Sequence, residues 1–255
     1  VTALATAGWQ RLSRFLRFNE FRRAFGSNIR QANDVIISVP LWSVKECDRA
    51  IPRFQRAGPS GVAEELYGPT NTFAMEDVRG AIYMSEVMAR FFKRPITIKP
   101  DNEEIIWDEK TVLMIGTHTA NFHARSVVRT FQNDYPDDSP VEFVDLEENE
   151  RTGARLAFRD RATGRVYEAD EEYEYAVVLR LSNRYSEKKS GYLFVVGGIH
   201  ACGTYAASVW LGNRWKKFAK GKGPAAAILR LETGNPESAR PVLMTGLEAR
   251  KKAAR

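Results

Sequence analysis

Two short stretches hold most of the residues that could do chemistry. "IGTHTANFHARS", from Ile115, and "VVGGIHACGTYAAS", from Val195, each pass from an apolar run through glycine and polar residues into helix-forming sequence. All three histidines of the chain, His118, His123 and His200, fall in them, with Thr117, Thr119, Asn121 and Thr204. Glycine lets a backbone approach a ligand closely or adopt a positive φ. The N-terminus of a following helix offers backbone N–H donors and a partial positive charge. The pattern therefore predicts an anion-binding site formed by Gly116, Thr117, His118, Asn121, Gly197, Gly198, His200, Gly203 and Thr204.

Sharper motifs fit incompletely. From Gly198 the second stretch reads G-I-H-A-C-G-T, which has the glycine spacing of a P-loop but Thr204 in place of the lysine. That favours phosphate binding over ATP hydrolysis. Neither stretch is G-x-G-x-x-G, and no serine sits in G-x-S-x-G. His118, His123, His200 and Cys202 are zinc-ligand types without the spacing of a zinc finger, so zinc is not expected. Cys202 could pair with a histidine as a nucleophile, but a small buried cysteine packing a strand–helix turn is the expectation. Glu76, Asp77 and Glu86 lie on the helix predicted after "YGPTN", and with His118 and His200 they are the candidates for catalysis. For the carboxylates the plainer role is helix capping and dipole complementation.

The elements that must position these residues are legible from periodicity. Apolar runs at "NDVIISVP", "RPITIKPD", "KTVLMIG", "VEFVDLEE", "EYAVVLRLSN", "GYLFVVGG", "AAAILRLE" and "RPVLMTGLE" predict strands. Helices are predicted over "GWQRLSRFLRFNEFRRAF", ended by Gly26, over "TNTFAMEDVRGAIYMSEVMARFF" with Thr72 as N-cap, and after each glycine loop. Strands alternating with helices predict an α/β fold: a Rossmann-like, largely parallel central sheet flanked by helices. The alternation around "ATG" predicts an antiparallel hairpin added near 154–170. Residues 1–32 are read as a basic amphipathic helical arm, 33–247 as one α/β domain and 248–255 as a basic tail.

The chain has 255 residues, 44% of them hydrophobic, enough for one large core. It has no run of the roughly 20 apolar residues that a membrane-spanning helix needs. No signal-peptide pattern is visible, and the two cysteines, Cys47 and Cys202, are far apart, so a reducing cytoplasmic setting is expected. Position 1 is Val, which leaves room for an upstream segment. The net charge of +6 is concentrated in the N-terminal helix and near the C-terminus. Such charge is most often a solvated face, though arginines and aromatics on one helix also suit a membrane surface. No helix-turn-helix signature and no basic–aromatic interleaving on a sheet face is visible, so nucleic acid is not the expected partner.

In layout, "NDVIISVP", "YGPTNTFAMEDVRGAIYMSEVMARFFKRPITIKPD", "VLMIGTHTANFHARSVV" and "YAVVLRLSN…GYLFVVGGIHACGTYAA" resemble the Rossmann-like sensor and effector domains of bacterial signalling and defence proteins. These include the SLOG and TIR-like groups and their nucleoside deoxyribosyltransferase relatives. The resemblance covers about residues 33 to 245 and matches no motif residue for residue. It implies a nucleotide or NAD-like ligand, and for some members cleavage of an N-glycosidic bond. Glu86, in "MSEVMARF", is a positional match only for the TIR-type catalytic glutamate. The leading expectation is a regulatory domain that binds a nucleotide or another small anion. The alternatives are an N-glycosidase or glycosyltransferase acting on NAD or a nucleoside, and a basic interaction or nucleic-acid-binding module.

Overall fold

The structure, a computed structural model, describes residues 2–41, 74–92, 94–108, 110–147, 156–186 and 191–247. Seven strands form the central sheet: β1 (Val35–Val39), β2 (Thr97–Pro100), β3 (Thr111–Ile115), β7 (Tyr173–Ser182), β8 (Tyr192–Gly198), β9 (Ala225–Glu232) and β10 (Arg240–Thr245). Their order is β10-β9-β7-β8-β3-β1-β2. From β2 to β8 every pairing is parallel, whereas β7, β9 and β10 pair antiparallel, so five of the seven strands run the same way.

The inner strands are mostly apolar because both faces of the sheet are covered, with Ser38, Thr111, Glu174 and Arg180 as buried exceptions. Successive side chains alternate between two cores. Val35, Ile37 and Val39 of β1, with Phe194 and Val196 of β8, enter one. Ile36, Leu193 and Val195 enter the other. The edge strands β2 and β10 are largely exposed, and β2 carries Lys99 and Pro100, residues that discourage pairing with another chain.

On the first face pack the end of α1 (Thr2–Phe25), α2 (Met75–Ala89) and α4 (Ala201–Arg214). Small residues let α2 and α4 approach closely. A Cβ on Gly80 would lie 2.6 Å from Ser208 Oγ, and one on Gly212 2.5 Å from a ring carbon of Tyr83. The second face is covered by α3 (Phe122–Asp134) and a separate antiparallel sheet, β4 (Val141–Asp145), β5 (Leu156–Asp160) and β6 (Val166–Tyr167).

The hairpin expected near 154–170 is present as β5 and β6, in a sheet separate from the central one. It pairs with β4, because Phe143, Phe158 and Tyr167 present one buried apolar face against the second core. The N-terminal helix is an arm only in part, since Phe21, Ala24 and Phe25 are fully buried in the first core. Thr72 and the tail 248–255 lie outside the described residues, and the N-cap of α2 is Ala74, with no side-chain cap bond. Gly26 does end α1, at φ 145°, where a Cβ would strike Asn28 and Thr111.

One buried cation fastens the sheet to α1. Arg180 of β7 has no solvent exposure. Its guanidinium donates to the carbonyls of Ala24, Phe218, Gly221 and Gly223 and lies over the Tyr192 ring. The carbonyls replace water, and burial lowers its pKa to about 10. Arg180 therefore remains charged at neutral pH.

Candidate functional site

The chain leaves β1 for β2 on one side, and β3 then pairs on β1's other side. Helix α2 crosses one face and α3 the other. In open α/β sheets such a reversal opens a crevice at the carboxyl ends of the strands. The two glycine loops meet beside it. Gly116 N donates to Val196 O, and a Cβ on Gly197 would lie 2.6 Å from Thr117 N.

The glycines serve this contact rather than leaving a cradle. A Cβ on Gly198 would lie 2.5 Å from the Gly203 Cα, so the P-loop-like spacing reflects a tight strand-to-helix turn. Gly116 takes φ 92°, which explains glycine at that position. Several backbone donors expected to meet an anion are also occupied. Phe122 N and Leu41 N donate to the Asp101 carboxylate, Ala124 N to Asn121 Oδ1 and Gly198 N to Thr204 Oγ1. Asn121 is fully buried as the N-cap of α3, and its amide donates to the carbonyls of Ile115 and Ser38. It joins β1, β3 and α3 rather than facing a ligand.

The three histidines hold separate partners. His123 Nδ1 lies 2.8 Å from Ser38 Oγ on β1. A backbone hydrogen bond at Glu103 favours the protonated ring. His118 Nε2 lies 2.6 Å from Asp145 Oδ1 at the end of β4, and its buried Nδ1 has no hydrogen-bond partner among the described residues. Burial holds His118 and His123 below the ordinary imidazole pKa, although Asp145 and Asp101 respectively oppose the shift. His200 Nδ1 lies 2.9 Å from Glu174 Oε2, a buried carboxylate on β7. Among the described residues no three of His, Cys, Asp and Glu form a metal-binding group. Burial and Glu174 push the Cys202 thiol up to about 11, which removes its nucleophilic role at neutral pH.

Of the candidate carboxylates, Asp77 reaches the loops. It is 3% exposed and hydrogen-bonds to the Thr204 side chain, so the N-terminus of α2 meets the second loop. Burial, with Glu76 and Asp101 nearby, raises its carboxyl to about 7. A carboxyl that exchanges its proton near neutrality is suited to acid–base work. Glu76 is half-buried in the same first turn. Glu86 is exposed nine residues further along α2, about 13 Å from Asp77 along the axis, and so stands apart from the two loops.

Beside this cluster, an open cleft of about 680 Å³ lies between the segment after β2 and the start of α3. Trp107, Phe122 and His123 give it aromatic walls, and Asp101, Glu103, Glu104 and Arg125 give it charge. Phe122 is 61% exposed. Ser38, Asp101 and Trp107 escaped the motif search. Ser38 left a signal, as the lone polar residue in "VIISV", and Asp101 another, as the acid directly after a strand-ending proline.

Compared with protein-family models, curated proteins and solved structures, the chain matches none of them.

Proposed function

We propose that this protein is a Rossmann-like regulatory domain that binds a nucleoside or nucleotide derivative at the carboxyl ends of β1, β2, β3 and β8. The carrying observation is the aromatic-walled cleft at the β1/β3 reversal, lined by Leu41 after β1, Asp101 after β2 and Thr119 and His123 after β3; the second glycine loop and Asp77 pack next to the first loop and do not line the cleft. The resemblance of the sequence layout to nucleotide-handling sensor domains is in line with it. Phe122 and Trp107 suit a planar base or nicotinamide ring. Glu103 and Glu104 oppose a polyphosphate in the same cleft and favour the ring end of the ligand. Differential scanning fluorimetry with nucleosides, mono- to triphosphates, NAD and ADP-ribose tests this reading. A saturating ligand raises the melting temperature by several degrees, since at a hundred times Kd it adds about 2.7 kcal/mol. A panel in which nothing shifts the transition overturns it.

Asp77 supports a second reading, hydrolysis of an N-glycosidic bond. A carboxyl near pKa 7 can give its proton to the departing base of a nucleoside as the C–N bond pair leaves with that base, and water then supplies hydroxide to the sugar carbon and returns a proton to Asp77. Chromatography of nucleoside incubations tests it. Release of free base that Asp77→Asn abolishes is the expected result, and intact substrates remove the reading.

A further inference from the structure

The opposite end of the sheet carries a second cleft, of about 620 Å³, where the chain enters β1 and β2. Its floor is phenylalanine. Phe18 meets Phe92 edge-on, and Phe91 stacks on Phe21 at 4.3 Å. Three guanidinium groups line it from three segments: Arg14 on α1, Arg30 ahead of β1 and Arg94 ahead of β2. All three residues are exposed, and none of the three guanidiniums makes a hydrogen bond or ion pair among the described residues. The neighbouring acids are engaged elsewhere. Asp34 accepts from the Arg30 and Gln31 backbone, and Glu20 pairs with Lys216.

The cleft continues onto an apolar face that no described residue covers. Leu12, Phe15 and Leu16 stand at i, i+3 and i+4 on α1 and are 48%, 61% and 53% exposed. That spacing places them on one side of the helix, and Phe15 also lines the cleft. Large adjacent apolar side chains in water mark a surface that another phase or molecule covers.

We propose that this end of the molecule docks onto an anionic phospholipid surface. Arg14, Arg30 and Arg94 pair with phosphate headgroups, and Leu12, Phe15 and Leu16 enter the boundary between headgroups and acyl chains. Charge complementarity selects an anionic occupant. Cations from three separate segments match phosphates laid side by side in a plane better than a single anionic group. Two leucines beside the cations favour lipid over nucleic acid, because aliphatic side chains offer bases no stacking surface and the floor rings already pack on one another. Docking here leaves the ligand site at the opposite end of the strands open to solvent.

Co-sedimentation with vesicles of phosphatidylcholine, alone or mixed with phosphatidylglycerol, tests the proposal. The chain binds the mixed vesicles and not the neutral ones, and added salt weakens binding. Each of Arg14→Gln, Arg30→Gln and Arg94→Gln lowers the partition coefficient about fivefold, and Phe15→Ser lowers it about tenfold or more. These residues are exposed, so unchanged melting curves separate lost docking from lost folding. Absence of binding to anionic vesicles at low salt overturns the proposal. So does vesicle binding that survives all four substitutions, or a preference for single-stranded nucleic acid over vesicles that the same substitutions abolish.

Discussion

The two ends of the parallel strands treat charge in opposite ways. At the carboxyl end, buried polar side chains are bonded to partners within the chain: Ser38 with His123, His118 with the exposed Asp145, Asp77 with Thr204. At the amino end, one cation is buried among carbonyls, and three others stand exposed with no partner among the described residues. The first arrangement sets proton positions and tolerates little change. The second leaves its charges for something outside the chain. A pre-organised site and a docking surface differ in this way, because buried polar groups are expensive unless satisfied and exposed ones are not.

The largest effect is expected from the buried cation. Arg180→Met leaves the carbonyls of Ala24, Phe218, Gly221 and Gly223 without their donor and frees the end of α1. Each buried carbonyl left without a donor costs about 1–3 kcal/mol, so the total loss is several kcal/mol. Urea denaturation is expected to show that loss, and Arg180→Lys recovers only part of it, since an ammonium cannot reproduce the fork. A variant as stable as the parent would show that the carbonyls are satisfied in some other way.

Asp77→Asn acts in the opposite direction. The folded carboxyl titrates near 7, against 3.8 as its ordinary value. The folded state therefore holds its proton more tightly. The stability that this contributes is full below pH 3.8 and is lost as pH rises through about 7. The asparagine variant does not titrate, so its advantage grows from pH 4 to pH 8, where it reaches on the order of 3–4 kcal/mol. His118 and His123 contribute the reverse slope. Their lowered pKa values mean that stability falls as pH drops below about 6.5, where the unfolded rings take protons that the folded ones refuse. Melting curves of parent and variant from pH 4 to pH 8 measure the difference. If the variant is more stable at pH 8 and has also lost ligand binding, Asp77 is held in strain for function.

Gly197→Ala tests whether the two loops depend on one another. The new methyl group would lie 2.6 Å from Thr117 N and 2.7 Å from Gly116 C, where backbone cannot yield as a flexible side chain does. Overpacking of this kind costs about 1–3 kcal/mol. A fall in the melting temperature, with ligand binding weakened further than the stability loss explains, is the expected outcome. An unchanged variant would mean that the loops separate without penalty.

The sequence revealed the strands better than it revealed how polar side chains are shared. "VIISV", "VLMIG" and "YLFVVGG" read as buried strands because sheet neighbours cover both faces, a local pattern with a general cause. The two loops were visible for the same reason. What they bond was not, because it depends on strand order. Asp101 lies 21 residues before the helix it caps, and His118 meets Asp145 across 27 residues and two sheets. Glu174 was hidden within "EADEEYEYA", which reads as a solvated charge run, yet strand alternation turns that one acid inward. The histidines looked like one cluster in sequence and are three pairs in space.

That separation also sets an effect expected on reactivity alone, with none on stability or ligand binding. A thiol held near 11 carries a few hundredfold less thiolate at pH 7.5 than an ordinary cysteine, whose pKa is about 8.5. In a Cys47→Ser background, iodoacetamide should alkylate Cys202 slower than free cysteine by about that factor. Glu174→Gln removes the negative neighbour that holds the proton on sulfur, so it should speed alkylation, and it also releases His200 from its carboxylate. Cys202→Ser should leave ligand binding unchanged. If instead the parent thiol reacts at the ordinary rate, Glu174 does not govern it, and the carboxyl-end network stops short of β7.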